Sequence, residues 1–477
     1  MHPRKNSRMK ASKRKAEKAN EDMDWRQLRV VSLFSGCGGL DLGFKEEGFE
    51  LAYACDNDPI AVEVYRRNVD KRAYVRDVTT EQFHREIDEI GYCDVVLGGF
   101  PCQGFSKAGP KTESDPRNVL YREMLKTVLT LKPKVFVAEN VDGMSQNYGG
   151  AFVERIKEDF GNAGYRVESR ILQAADYGVP QYRRRILFIG VRKDIRLSFI
   201  WPEPKHATPL RNGEFKLQSY GSEGAVAVNR TSPPTIEYAI GDLLDVEIGA
   251  MQDHVVTDKW PDYYQHVFEA IKPGQKLCNV RRADTSVYTW QIPDAFGKVT
   301  SREKVVLETI SKNRRHKRFG NKPNGNPLSL EVIEELSGLK KVAREVRSLV
   351  KKNYLKDYEG RYDLMGAMFC SGLFKRPQWD EPAPTVLTVF DNPRYFLHPI
   401  KNRPFSVREC ARLQSFPDAF KFCVGTSNAE KKAAYRLIGN AVPPLLAKLI
   451  ANAVKRTLVK ERAKGASKFV SYEAAVA

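Results

Sequence analysis

The 477-residue chain is poor in the residues that build metal and disulfide sites, with seven histidines and eight cysteines. The cysteines stand at positions 37, 55, 93, 102, 278, 370, 410 and 423, and no two are spaced CxxC. No Cys/His group has zinc-finger spacing, so no metal site is expected. Disulfide frameworks belong to small secreted chains, and the stretch MHPRKNSRMKASKRKAEKAN lacks the apolar core of a secretory signal. Most of the thiols are therefore expected to be buried small hydrophobes in a reducing compartment. No run of about 18 apolar residues is present, so no membrane span is expected.

Positive charge is abundant: 78 Lys and Arg against 59 Asp and Glu, a net of +19. Such a surplus implies a polyanionic partner, nucleic acid first among them. Residues 1–26 read as a basic, disordered arm. Hydrophobic residues make up 42% of the chain, enough to build real cores.

Short apolar runs recur at VVSLF (30–34), ELAYACD (50–56), AYVRDV (73–78), DVVLGG (94–99), VFVAEN (135–140) and RILFIGV (185–191). Helical patterns lie between them, at 58–69 and 117–131. This alternation predicts an α/β fold with a doubly wound, mixed but mostly parallel sheet. In such sheets ligands bind beyond the carboxyl ends of the strands. Ser35–Gly39, Asp56, Asp77, Gly98–Cys102 and Glu139–Asn140 all fall there. The catalytic domain is expected over 27–205 and, after an insertion over 206–384, again over 385–460, with a tail at 461–477. Within the insertion, SLEVIEELSGLKKVAREVRSLVKK predicts one helix over 329–352. Ser329 is its N-cap, and Val332, Leu336, Leu339, Val342, Val346 and Leu349 form its apolar stripe.

FSGCGGLDLGF follows a strand and opens a helix, so its glycines let the backbone approach a ligand. Asp56 lies 20 residues beyond Gly36 (56 − 36 = 20), which suits a carboxylate on ribose hydroxyls. A GxGxxG fingerprint would need glycine at 41, where this chain has Asp41. A nucleoside-bearing cofactor without a pyrophosphate fits better, and a nicotinamide oxidoreductase is disfavoured.

GGFPCQGFSKAG (98–109) places Cys102 in a Gly/Pro loop at a strand end. Metal partners and a second redox cysteine are absent, which leaves a buried structural thiol or a nucleophile. Nucleophilic cysteines need a nearby base or positive potential. No histidine sits at these strand ends, but Glu139 and the arginines of QYRRR (181–185) do. A carboxylic acid suits protonation of a ring nitrogen, and arginines suit a carbonyl oxygen gaining charge. A pyrimidine has both.

With these motifs in order, the chain resembles the DNA (cytosine-5) methyltransferases of the prokaryotic restriction-modification type. The resemblance rests on SLFSGCGGLDLGF, the acid of ACDND, RDV, GGFPCQGFSKAG, DPRNVLYREML, ENV, QYRRR, RECARLQSFPD and GNAVPP. It implies a Rossmann-like fold that uses S-adenosylmethionine, and a target-recognition domain in the insertion. Cys102 would attack carbon 6 of a flipped-out cytosine. Glu139 would bond ring N3 and the exocyclic amine, while Arg183 and Arg185 would hold the O2 side. Gln103, Ser106 and Asn140 would belong to the substrate loop. Phe34, Ser35, Gly36, Gly38, Gly39, Asp56, Asp77, Val78, Pro101, Leu120 and Asn440 would surround the cofactor. At 56 the family more often has Glu.

The resemblance further implies duplex DNA as partner, a cognate restriction endonuclease sharing the site, a monomer, and a cytoplasmic, nucleoid-associated location. The basic helix over 329–352 is expected to widen the DNA footprint. Two alternatives stay open: an RNA (tRNA) cytosine-5 methyltransferase, and a non-catalytic DNA-binding regulator on the same fold.

Overall fold

Short buried apolar segments form the centre of a seven-stranded sheet in the computed structural model of the chain. The structure describes residues 28–101, 120–146, 150–209, 215–216, 231–257, 260–277, 285–322, 325–365, 372–423, 425 and 427–476. The chain divides into two units. Unit 1 holds residues up to 234, 414–421 and from 440 onward; unit 2 holds 235–413 and 422–439.

Unit 1 is built as strand and helix in alternation: β1 (Arg29–Leu33), α1 (Gly39–Glu46), β2 (Glu50–Asp56), α2 (Pro59–Asn68), β3 (Ala73–Val75), α3 (Glu81–Ile90), β4 (Val95–Gly98), α4 (Leu120–Leu131), β5 (Val135–Val141), α5 (Ala151–Asn162), β6 (Tyr165–Gln173) and β7 (Arg184–Arg192). The sheet order is β3-β2-β1-β4-β5-β7-β6. The first five strands run parallel, and β7 is antiparallel to both β5 and β6. The chain therefore has the α/β, doubly wound mixed sheet expected of it.

The central strands are apolar throughout because helices cover both faces of a parallel sheet. One core contains Val31, Leu33, Val96, Phe136 and Phe188, all fully or almost fully buried. The expected strand over 73–78 is only three residues long: Asp77 begins a side-chain-bonded turn in which its Oδ1 accepts from Thr79 N at 2.9 Å. β6 was not foreseen. It is an edge strand whose Arg166, Glu168 and Arg170 are exposed.

The C-terminal helix α11 (Pro444–Val476) packs on α1. A Cβ at Gly43 would lie 2.4 Å from Lys448 N, so the two helices meet backbone to backbone. An apolar window within Asn428–Lys460 is long enough to cross a bilayer by composition, but 67% of it is buried inside the fold.

Unit 2 begins later and ends later than the boundaries at 206 and 385. Two further helices here are α9 (Val407–Leu413) and α10 (Asn428–Asn440). Residues 385–413 and 422–439 lie within this unit because buried polar ties hold them. Asp253 accepts from Arg408, Phe422 N and Cys423 N, and Tyr435 donates to the Phe405 carbonyl at 2.7 Å.

The sequence 329–352 is two helices, not one: α7 (Leu330–Ser337) and α8 (Ala343–Lys351), preceded by α6 (Ser301–Asn313). Gly338 stops α7 in the left-handed conformation, φ +70°, where glycine has no Cβ to clash. Ser329 caps α7 as expected, accepting from Val332 N at 3.4 Å. The foreseen stripe does face a core, with Val342, Val346 and Leu349 fully buried.

Candidate active site at the strand ends

β1 ends in a turn that leans on its neighbour β2. Ser35 N donates to Cys55 O at 3.0 Å, and Gly36 N donates to Asp56 Oδ2 at 2.8 Å. The other Asp56 oxygen accepts from Asp58 N at 2.9 Å. The carboxylate is thus fixed in place and remains partly exposed.

The three glycines of the turn have different tasks. Among the described residues, a Cβ at Gly36 (φ +54°) would meet nothing within 4 Å. At Gly38 it would sit 2.7 Å from the Tyr65 ring, and at Gly39 it would sit 2.3 Å from Val442 O. Gly38 and Gly39 therefore serve close packing whatever else they touch. Phe34 holds a positive φ of 54°, a strained state for a bulky residue that clusters at functional sites.

Asp41 is fully buried beneath this turn and takes a hydrogen bond from Tyr65 Oη at 2.9 Å. Burial pushes its carboxyl up to about 6, against the pull of Ser32 and Tyr65. Sequence reasoning used Asp41 only to reject a fingerprint. Its structural role depends on a tyrosine 24 residues away that no motif announces.

β4 and β5 bring the reacting end together. A Cβ at Gly99 would lie 3.6 Å from Glu139 Oε2 and 3.9 Å from Phe34 O, so the ends of β1, β4 and β5 meet at one point. Glu139 is 8% exposed. Its Oε1 pairs with Arg185 Nε at 2.8 Å. The antiparallel register sets Arg185 opposite Val141, two residues beyond Glu139. Burial, the largest influence, raises the Glu139 carboxyl above its ordinary value, and the charges of Arg185 and Arg183 oppose that rise.

Arg183 is fully buried and donates to Ala441 O at 2.9 Å. Gln414 Nε2 donates to the same carbonyl at 2.7 Å. The QYRRR and GNAVPP motifs thus meet through Ala441, while Asn440 itself is exposed. Asn140 was assigned to the substrate loop. Its Nδ2 donates to Phe100 O at 3.0 Å, so it anchors the chain just before Pro101.

Among the other expected cofactor residues, Asp77 is exposed, Val78 is 4% exposed and lies in the core, and Leu120 starts α4 against that core. Ser35 and Pro101 are half-buried. Cys102, Gln103 and Ser106 lie outside the described residues. Cys37, Cys55, Cys93, Cys410 and Cys423 are buried thiols, as expected. Burial pushes Cys37 and Cys93 up to about 12, away from the thiolate form that attacks.

A glycine-rich turn, a fixed acid and a buried Glu–Arg pair thus gather at the strand ends of a mixed α/β sheet, the edge where such sheets bind ligands. The C-5 cytosine-specific DNA methylase profile matches residues 28–456. The chain is 32% identical over 452 residues to Type II methyltransferase M.XorII of Xanthomonas oryzae pv. oryzae, covering 91% of this chain and 86% of that one. It is 30% identical to Type II methyltransferase M.BsuRI of Bacillus subtilis, covering 91% and 81%. Among solved structures it is similar to a putative DNA modification methyltransferase from an E. coli prophage, at 23% identity and TM-score 0.49, covering 91% and 99%. The chain belongs to the C-5 cytosine-specific DNA methylase family. It is a DNA (cytosine-5) methyltransferase.

Proposed function

We propose that the crevice transfers a methyl group to carbon 5 of a flipped-out cytosine in a specific duplex sequence, through a covalent adduct on Cys102. The observation that carries this reading is buried Glu139. It is fixed at a strand end by Arg185, with its second oxygen turned toward Gly99.

The residues present suit S-adenosylmethionine. Among the described residues, Gly36 leaves room for close approach, and Asp56 offers a carboxylate fixed by Gly36 N and Asp58 N. Phe34, Ser35, Gly36, Gly38, Gly39, Asp56, Asp77, Val78, Pro101, Leu120 and Asn440 would hold it. When bound, it supplies an electrophilic methyl group.

The target atom is inaccessible inside a duplex, so the base leaves the stack. The Cys102 thiolate then adds to carbon 6, and Glu139 gives a proton to N3, so electron density moves to carbon 5. Arg183 and Arg185 hold the O2 side, where positive charge opposes loss of the ring's polarisation. After transfer, a base takes the carbon 5 proton. The C–S bond breaks, its electron pair returns to sulfur, and N3 gives its proton back to Glu139. Asn140 acts as a positioning residue, since it fixes the Phe100 carbonyl beside Pro101.

The net charge of +19 and the Type II names of the relatives support duplex DNA as substrate and a role beside a restriction endonuclease of the same site. The enzyme works as a cytoplasmic, nucleoid-associated monomer. Bisulfite sequencing of DNA from cells expressing the wild type or Cys102→Ser tests the reading. We expect protected cytosines in one sequence context for the wild type and none for the variant. Equal protection by the variant would overturn the mechanism. Methyl incorporation into tRNA but not duplex DNA would overturn the substrate.

A further inference from the structure

Unit 2 contains a small module with a core of its own. The order along the chain is α6, a short strand β8 (Leu328–Ser329), α7, a turn, α8, then a hairpin of β9 (Leu355–Tyr358) and β10 (Arg361–Leu364). The three strands form an antiparallel sheet in the order β8-β10-β9, so the first strand pairs with the last. α6 packs against both α7 and α8. Leu307, Ile310, Ile333, Val346, Leu349 and Leu355 share one buried cluster.

The turn between α7 and α8 is short and built. Gly338 opens it, and Glu334 reaches across it to accept from Val342 N at 2.8 Å. Arg302 of α6 clamps the far side, through Glu345 at 2.7 Å and the Lys340 carbonyl at 2.8 Å. Two helices joined by a short Gly-containing turn are a helix-turn-helix. The hairpin behind the second helix is a wing. Its loop, Glu359–Gly360, has positive φ at both residues (56° and 83°), the tight turn that keeps a hairpin twisted.

The faces of α8 divide by charge. Val342, Val346 and Leu349 point into the core, while Arg344, Arg347 and Lys351 are exposed. These three recur at steps of three and four, so they lie on one face of the helix. Glu345, the sole acid of α8, is held by Arg302 of α6. The wing adds exposed Lys356, Tyr358 and Arg361.

We propose that residues 301–364 are a winged helix-turn-helix that binds duplex DNA, with α8 in the major groove and the β9–β10 wing on the phosphates. The second helix of such a motif lies in the groove and presents side chains to base edges. Arg344 and Arg347, in the first turns of α8, read bases. Lys356 and Arg361 neutralise backbone. The proposal rests on duplex DNA being the enzyme's substrate. It adds a second reading element to the crevice that holds the target cytosine.

The test is selection from a library of random-sequence duplexes by the full chain, with affinity measured over a salt series. Arg344→Ala/Arg347→Ala is expected to erase part of the selected motif and to lower affinity about tenfold or more. Lys356→Ala/Arg361→Ala is expected to weaken all duplexes alike and to reduce the salt slope by ~1–2. Lys312→Ala, on α6 with its side chain 74% exposed, is expected to leave the motif unchanged. Should the alanine pair fail to fold, Arg344→Lys/Arg347→Lys keeps the charge and still loses bidentate base contact. The lysine pair selecting the wild-type motif would overturn base reading. So would an alanine pair unchanged in motif and affinity, or a Lys312→Ala loss as large as that of the alanine pair. Tighter binding of an RNA duplex by the same face would overturn the choice of partner. Methyl transfer is not in the readout, so failure of the covalent mechanism leaves this test standing.

Discussion

Glu139 and Asp253 are both buried carboxylates that face an arginine, but their oxygens are filled differently. Asp253, in unit 2, accepts from Arg408 Nη2 at 3.1 Å and Phe422 N at 2.7 Å on one oxygen. Its other oxygen takes Cys423 N at 3.0 Å and Gln252 Nε2 at 2.9 Å. Four donors leave nothing to offer a ligand, and the residue ties three stretches of chain together. Among the described residues, Glu139, in unit 1, has Arg185 on one oxygen, while the other looks toward Gly99. In the proposed reading, the second oxygen of Glu139 is the one that meets the substrate. Asp253 acts as a staple. Burial alone does not separate the two; among the described residues their hydrogen-bond partners do.

Substitution should split the two roles. The largest effect is expected at Glu139→Gln, which removes the proton donor and lowers kcat by ~10²–10⁴, with the thermal midpoint unchanged or raised. Steady-state methyl transfer and a melting curve on the same sample check both halves. Asp253→Ala should do the reverse. It strands a buried guanidinium and two backbone N–H groups, at about 3–5 kcal/mol of stability, while the folded fraction keeps its cofactor affinity. Denaturant unfolding with calorimetric cofactor binding separates these.

Asp41 offers an intermediate case, buried but with a carboxyl raised to about 6 from 3.8. The folded protein holds this proton more tightly than the unfolded chain. The group's contribution is therefore present below the unfolded value and lost as pH rises through the folded one. Relative to Asp41→Asn, the wild type should lose up to ~3 kcal/mol of stability between about pH 4 and 6. Urea midpoints across that range check the sign. The smallest effect is expected at Ser329→Ala. Losing the N-cap of α7 should lower unfolding stability by ~1 kcal/mol and leave methyl transfer on crevice-bound substrate unaltered.

The comparison also explains which parts were readable from sequence. The strands of unit 1 announce themselves because a sheet covered on both faces needs short continuous apolar runs, as in VFVAEN. Glu139 ends one such run and QYRRR precedes another, so the acid and the arginines were placed together from sequence; their ion pair follows from β7 running antiparallel to β5. β6 escaped because its exposed Arg166, Glu168 and Arg170 dilute the apolar signal. Asp253 and Arg408 lie 155 residues apart, and no local pattern encodes such a tie. Asn140 was placed at the site, but its hold on Phe100 O depends on two strands meeting in space. In unit 2, the apolar stripe and the Ser329 cap were legible. The break was not: Gly338 sits at a position the stripe tolerates, and only the turn it makes creates two helices.

The central claim is a crevice in which Cys102 and Glu139 act together on a cytosine. Its most direct test is a duplex with 5-fluorocytosine at the mapped target, incubated with cofactor and the full chain, followed by digestion and peptide mass mapping. Fluorine cannot be abstracted as a proton, so β-elimination stalls. The account predicts a methylated nucleotide bound to the peptide containing Cys102, and its loss in Glu139→Gln. Turnover of the fluorinated duplex without an adduct, or an adduct on another cysteine, would contradict it.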